Sequence, residues 1–440
     1  MVIVENVWWL LVLIGVMILI HELGHFCAAR FFDVRVETFS FGFGPRLFGF
    51  RRGETDFRFS LVLFGGYVRM AGEQAGEESV NDPRGFLAKP RWQRLLIAFA
   101  GPAMNIVLAV TLLTGLFTFR YPKPLDPNAP ATIGHVLPDS PAAKAGVREG
   151  DRIVRIDGVA DPSWDDVLVR EIAGAQRPMA VVIERQGRQI PVMVTPVLDE
   201  RTGVGNAGWS EENEIQIAAF VPGVTNAEQA GLKPGDILLA VNGQAVRSTQ
   251  RLHEALRASE GKPVEILYSR QGVRNKVMVT PAYTTLQGQG RWMIGVQLEP
   301  RYVITQLPLG RAFVESVRQN FRYGSLIYQF LRGIVERRMS PKSLEGPIRI
   351  AQLSGDAARE GPGAFIGLMA MVSLNLAIFN LLPIPILDGG VILLLLVEMI
   401  MRRDLSLQVK EAVFKLGFVF LMVVVAFVLY NDISKILPPG

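Results

Sequence analysis

A single cysteine, Cys27, stands in 440 residues, so no intramolecular disulfide is available and any domain outside a membrane must be held by core packing alone. A thiolate at position 27 would point well away from His25 around a helix, and Cys27 is expected to serve helix packing. Histidine is nearly as scarce, with four residues, which lends weight to any pair at short spacing. No lysine or arginine precedes Arg30, so the basic leading segment of a signal peptide is missing and the apolar run Val7 to Phe26 is expected to be a retained span. The net charge of +5 comes without a basic helix or an aromatic platform; nucleic acid is not an expected partner, and contact with anionic lipid is the better use.

What the chain does have is apolar residues, gathered in blocks. With 49% hydrophobic and 20% charged residues it is too apolar for an ordinary soluble protein and too charged for membrane spans alone. The apolar residues concentrate in four windows: Val7 to Phe26, Leu95 to Phe119, Ala364 to Ile400 broken by prolines, and Ala412 to Tyr430. The expected fold is a polytopic α-helical membrane protein of about four transmembrane helices with a sizeable soluble part. Between the first two windows Arg30, Arg35, Arg51, Arg52, Arg84 and their neighbours form a basic excess, which puts that loop in the cytosol and the N-terminus outside. The long segment from about 120 to 363 then lies outside, Arg402, Arg403 and Lys410 inside, and the C-terminus outside.

Two of the four histidines fall in His21-Glu22-Leu23-Gly24-His25, at the end of the first apolar window. Residues four apart share a helix face, so His21 and His25 can present imidazoles to one zinc ion (Zn²⁺), with Glu22 placed as general base toward water there. A chance match or a pair of core donors is the alternative, but an ionisable residue at membrane depth costs ~3 kcal/mol and is functional by default. Zinc needs a third protein ligand and an open position. The strongest candidate is Asp388, a lone carboxylate in Asn380-Leu381-Leu382-Pro383-Ile384-Pro385-Ile386-Leu387-Asp388-Gly389-Gly390. Pro383 and Pro385 break the helix before it, and irregular backbone at that depth implies a protein-lined or wet cavity. A helix-capping carboxylate is the competing reading of Asp388.

The outer segment repeats itself. Ala145-Gly146-Val147-Arg148-Glu149-Gly150-Asp151 recurs as Ala230-Gly231-Leu232-Lys233-Pro234-Gly235-Asp236, and Val192-Met193-Val194-Thr195-Pro196 as Val277-Met278-Val279-Thr280-Pro281, an offset of about 85 residues. Each copy alternates strand patterns with Asp-Gly or Asn-Gly turns and one helical stretch, and resembles a circularly permuted PDZ domain of the bacterial kind, used to receive peptide tails by strand addition. Spacers or steric filters are the alternative. His135 and His253 fall here and are expected at the surface. From Thr55 to Met70, Phe57, Phe59, Leu61 and Leu63 alternate with Arg58, Ser60 and Val62 before Gly65-Gly66, which predicts a hairpin dipping into the membrane whose edge can pair with unwound substrate. A self-contained cytosolic hairpin is the alternative, as a packing amide is for Asn380, which otherwise bonds the same extended backbone. Arg311 to Arg338 predicts an amphipathic helix, on the outer membrane face or against the second copy.

Together the quoted stretches, with Phe41-Gly42-Phe43-Gly44, Gly65-Gly66-Tyr67-Val68-Arg69-Met70, Gly101-Pro102-Ala103-Met104-Asn105 and Gly346-Pro347-Ile348, resemble the site-2 proteases, intramembrane zinc metalloproteases, and within them the bacterial RseP type with two tandem PDZ domains. The resemblance covers nearly the whole chain, with Val391 a departure where related sequences often carry His. It implies that His21, His25 and Asp388 ligate zinc, that Glu22 is the catalytic base, and that Asn380, Pro383 and Pro385 hold substrate, joined by Phe59, Leu61 and Leu63 of a membrane-embedded β-loop. The implied organisation is a first transmembrane helix at 1–30, a cytosolic-side loop with the β-hairpin at 31–93, a second helix at 94–119, PDZ domains at 125–214 and 215–305, an interfacial helical region at 306–362, a third transmembrane segment at 363–400, a cytosolic loop at 401–411 and a fourth helix at 412–431. The expected setting is the bacterial inner membrane, with both termini and the PDZ domains extracytoplasmic and the active site toward the cytosolic side. The substrate implied is a single-span membrane protein, an anti-sigma factor in an envelope-stress pathway, already cut once outside. A catalytically silent scaffold recruiting partners through its PDZ domains is the alternative function; an ion relay is disfavoured by the lack of an inverted repeat of spans.

Overall fold

The computed structural model describes residues 2–73, 82–124, 130–199, 203–221, 223–286, 289–300, 302–337, 339–341 and 345–436; the expected boundary at 125 and Arg338 lie outside these. The chain divides into two compact units, one of residues 1–121, 306–327 and 344–437, the other of residues 122–305 and 328–343. Among the described residues four helices are long and apolar enough to cross a membrane: Val2–Phe31, Arg91–Phe119, Pro362–Asn380 and Gln408–Ser434.

In the first unit, α1 (Val2–Phe31) buries Leu10, Leu13, Met17, His21, Gly24 and His25, a stripe at three- and four-residue spacing that carries the histidines inward. Cys27, expected to pack between helices, is instead exposed on the other side of α1, as its angular offset from His25 requires. Two long strands follow, β1 (Val36–Arg52) and β2 (Thr55–Met70). The reversal falls at Gly53-Glu54, with Gly53 at φ 62°, and not at the Gly65-Gly66 expected from the sequence. Both strands bend back, so that Phe39 faces Val68 on one side and Phe57 on the other, while Phe50 also faces Phe57. α2 (Arg91–Phe119) then packs closely on α1 because Gly24 has no side chain: a Cβ there would strike the carbonyl oxygen of Ala100.

The second unit holds the two repeat copies. Copy 1 carries α3 (Pro141–Lys144) and α4 (Trp164–Ala173) with a four-stranded sheet; copy 2 carries α5 (Asn226–Gln229) and α6 (Thr249–Ala258) with a six-stranded sheet whose edge strand is Val296–Pro300. Their cores recur at the same offset of about 85 residues: Ile153, Val167, Val181 and Val194 match Leu238, Leu252, Ile266 and Val279. His135, expected at the surface, is buried, because its ring lies between two carboxylates, Nδ1 2.6 Å from Glu149 and Nε2 3.0 Å from Glu254 of the other copy. His253 is exposed.

The chain continues through α7 (Leu309–Val335), α8 (Pro347–Glu360), α9 (Pro362–Asn380), α10 (Asp388–Met401) and α11 (Leu407–Ile436). The amphipathic pattern of α7 is inverted relative to a soluble helix: Ala312, Ser316 and Asn320 are buried, with Ser316 bonded to Thr114 of α2 at 2.7 Å, while Phe313, Val314, Val317 and Phe321 stay exposed. That orientation suits an apolar surrounding. The Gly346-Pro347-Ile348 motif starts α8, where the buried Asp432 carboxylate of α11 accepts the N–H groups of Gly346 (2.9 Å) and Ile348 (3.0 Å), capping otherwise unpaired donors. Residues 381–387 separate α9 from α10.

Candidate metal centre

Three side chains from two distant stretches converge. Nε2 of His21 lies 3.2 Å from Nε2 of His25 and 3.1 Å from Asp388 Oδ2, and His25 Nε2 lies 3.4 Å from Asp388 Oδ1. Four ligands held at ~2.1 Å in a tetrahedron are roughly 3.4 Å apart, so these atoms have the spacing that zinc requires. Both histidines are buried. Their rings stand nearly perpendicular, at 81°, with centroids 4.9 Å apart. Among the described residues this is the one cluster of histidine, cysteine and carboxylate side chains close enough to hold a metal ion.

Each member is set by its element. His25 Nδ1 lies 2.8 Å from the carbonyl oxygen of Ile97 in α2; a carbonyl only accepts, so Nδ1 carries the proton and Nε2 keeps its lone pair for an ion. Gly101 of α2 makes the space: a Cβ there would strike Nε2 of His25 and come within 2.8 Å of Nε2 of His21. Asp388 opens α10, preceded by a backbone outlier, Ile386 at φ 87°, which a β-branched residue adopts only under constraint. Gly389 and Gly390 allow the preceding turn to fold back onto the helix start, since a Cβ on either would strike the carbonyl oxygens of Leu382 or Ile384. The helix start has no side-chain cap, and the Asp388 carboxylate faces the imidazoles.

Glu22 is half-buried on α1, between the two histidines in sequence. A Cβ on Gly66 would sit 3.1 Å from Glu22 Cγ, so β2 runs directly beside it. Of the hairpin residues named from the sequence, Phe59 stacks with Phe48, centroids 4.7 Å apart, and Leu61 and Leu63 are exposed. Asn380 is half-buried at the end of α9, Pro383 is exposed, and Pro385 packs against Gly417 of α11. Ile97, Gly101, Asn105 and Ser373 carry no expected role from sequence, although Gly101 and Asn105 belong to a quoted motif. Asn105 Nδ2 is 3.2 Å from His21 Nδ1, and Ser373 Oγ donates to the Asn105 carbonyl at 2.9 Å.

Residues 9–424 match the family model of peptidase family M50. The regulator of sigma-E protease RseP of Salmonella typhimurium is 30% identical over 448 residues, covering 97% of this chain and 98% of that one. A chain of Xylella fastidiosa that carries a zinc metalloprotease name is 32% identical over 455 residues, covering 97% of this chain and 98% of that one, and one of Treponema pallidum with the same name is 32% identical over 445 residues, covering 96% and 97%. A solved PDZ domain of the SdrC-like protein of Listeria monocytogenes is 19% identical with a TM-score of 0.18, covering 20% of this chain and 90% of that one, too slight a likeness to bear on the fold.

Proposed function

This chain belongs to peptidase family M50 and is a zinc metalloendopeptidase of the site-2 type, and from that premise we propose that it hydrolyses a peptide bond within the transmembrane segment of a single-span membrane protein already shortened by a cut outside the membrane. The observation that carries this reading is the meeting of His21, His25 and Asp388 at 3.1 to 3.4 Å, beside Glu22 and at the end of an apolar helix. In it His21, His25 and Asp388 are the zinc ligands. Bound there, zinc supplies a Lewis acid that polarises the scissile carbonyl and acidifies water. Glu22 accepts the proton of the attacking water and returns it to the leaving amine.

A transmembrane helix hides each carbonyl in an intrahelical bond, so substrate must unwind before attack. Phe59, Leu61 and Leu63 of β2 then receive the extended segment, and Asn380, with Pro383 and Pro385, holds it from the other side. The two copies are extracytoplasmic PDZ domains that screen substrates by size or by their new ends. The edge strand Val296–Pro300 supports reception of a peptide end by copy 2. An anti-sigma factor, and a place in the bacterial inner membrane with the site toward the cytosol, follow the RseP likeness and the distribution of arginines. The test is co-expression with truncated single-span proteins, mapping product termini by mass spectrometry. Wild type is expected to cut inside the span and Glu22→Gln to lose about 10²- to 10⁴-fold in turnover; equal turnover in both would leave a scaffold and a contaminating protease.

A further inference from the structure

Asn105 of α2 is fully buried and its side-chain amide lies 3.2 Å from His21 Nδ1, with Nδ2 as the near atom and Oδ1 without a partner among the described residues. Amide oxygen and nitrogen are assigned from the surrounding hydrogen bonds, so the neighbour's tautomer decides which atom faces it. His21 Nε2 is the atom that points at His25 and Asp388. A ring that ligates through Nε2 carries its proton on Nδ1, and an N–H facing an NH₂ makes no bond.

We propose that Asn105 is a positioning residue for the metal centre: its side-chain carbonyl, turned onto His21, accepts the Nδ1–H and fixes the ring in the tautomer and orientation that offer Nε2 to zinc. The inference rests on the zinc reading of His21, His25 and Asp388. Turning the amide only exchanges which of its two atoms lacks a partner, so the tautomer decides, not a count of satisfied groups. The two ligand histidines are thereby held by different means. His25 leans on a main-chain carbonyl, Ile97 O, that no substitution removes; His21 leans on a side chain that one substitution does. The backbone that carries the amide is fixed in turn: Ser373 Oγ of α9 donates to the Asn105 main-chain carbonyl at 2.9 Å, and both residues are fully buried. Groups that accept the distal N–H of a metal-bound histidine typically set metal affinity by about 10- to 100-fold.

The bland reading is an amide that merely packs between helices, and two substitutions separate it. Asn105→Leu keeps the volume and removes the acceptor; Asn105→Asp keeps an acceptor and removes the NH₂. Zinc affinity of the purified full chain in nanodiscs is measured by competition with a chromophoric chelator, beside the thermal midpoint of the metal-free protein. The expected result is a 10- to 100-fold loss of zinc affinity in Asn105→Leu and affinity at or above wild type in Asn105→Asp. Wild-type affinity in Asn105→Leu, or an equal loss in both variants, overturns the proposal. Should Asn105→Leu fail to accumulate, Asn105→Asp decides alone, since a tenfold loss there contradicts the acceptor role. Failure of the underlying zinc reading looks different: wild type would hold no stoichiometric zinc, or His21→Ala would hold as much as wild type.

Discussion

Copy 1 and copy 2 repeat one frame down to single hydrogen bonds. Arg185 reaches Asp151 at 2.7 Å and the Gly146 carbonyl at 2.7 Å; Arg270 reaches Asp236 at 2.7 Å and the Gly231 carbonyl at 2.8 Å. Asp157 accepts the Ala180 N–H as Asn242 accepts that of Glu265. Ser163 and Ser248 cap the matching helices α4 and α6. The copies part inside those helices. Glu171 of α4 stands where Leu256 stands in α6, and its buried carboxylate accepts the N–H of Ala207 at 2.7 Å and the indole N–H of Trp209 at 2.9 Å. In copy 2 the loop in that place is Ile294-Gly295-Val296, with no indole, and Leu256 joins the apolar core. A duplicated frame therefore holds two different interiors: both loops accept backbone N–H groups, from Leu137 and Ala142 in copy 1 and from Val221 and Ala227 in copy 2, but only copy 1 adds a buried carboxylate, where copy 2 has an apolar side chain.

Exchanging the two residues breaks the comparison most sharply. Leu256→Glu removes a buried leucine, worth about 2 kcal/mol, and buries a carboxylate where the loop offers no counterpart of the Trp209 indole, for a total loss of roughly 4 kcal/mol or more in copy 2. The reverse change, Glu171→Leu, is milder: two donors lose their acceptor, at about 1–3 kcal/mol each, and the added apolar burial offsets about 2 kcal/mol of that. Hydrogen exchange on the full chain reads both, comparing Val264–Arg270 with Met179–Arg185. Equal loss of protection in the two variants would mean that the two interiors are interchangeable.

Sequence reached this frame because its markers are local: Gly-Asp turns, Asp-Gly and Asn-Gly turns and the paired arginines recur at one spacing. The proposed metal site rests on signals of a similar kind, since His21 and His25 lie one helical turn apart and Asp388 is a lone carboxylate among apolar residues. What escaped depended on distant partners. β1 was hidden because Gly42, Gly44 and Gly49 interrupt its pattern and its second half is largely exposed; it forms because β2 pairs with it. The Gly53 reversal went unread for the same reason. Gly101 read as helix composition, and its function emerges only where α2 crosses α1. The burial of His135 and the partners of Glu171 are contacts across 119 and 36 residues of sequence.

A pH series sharpens the comparison with a smaller effect. Burial raises the Glu171 carboxyl from 4.5 to about 7, against the opposing pull of the Ala207 and Trp209 N–H groups. The folded state therefore binds this proton more readily than the unfolded state. Its stabilisation is complete below pH 4.5 and is lost as pH rises through about 7, a change on the order of 3 kcal/mol at ~1.4 kcal/mol per pH unit. Copy 1 is expected to lose protection between pH 4.5 and about 7 more steeply than copy 2, and Glu171→Gln to remove the excess slope. The same slope in Glu171→Gln as in wild type would assign it to another group.

The smallest effect concerns what joins the copies. The copy 2 position matching His135 is Ala219, because the carbonyls of Ile133 and Ile217 accept equivalent glycine N–H groups, from Gly150 and Gly235. The imidazole is thus an addition to one copy and not part of the shared frame, and its Nε2 reaches Glu254 on α6 of the other. Both carboxylates are more than a third exposed, so they return to water when the ring is lost, and the cost is limited to about 1 kcal/mol. His135→Leu is expected to raise exchange together in Ile133–Val136 and in α6, while Val264–Arg270 keeps its protection. A change confined to copy 1 would mean that the ring only fills space beneath its own strand, and that the copies are held together by their other contacts, such as the Arg247–Glu212 pair at 3.2 Å.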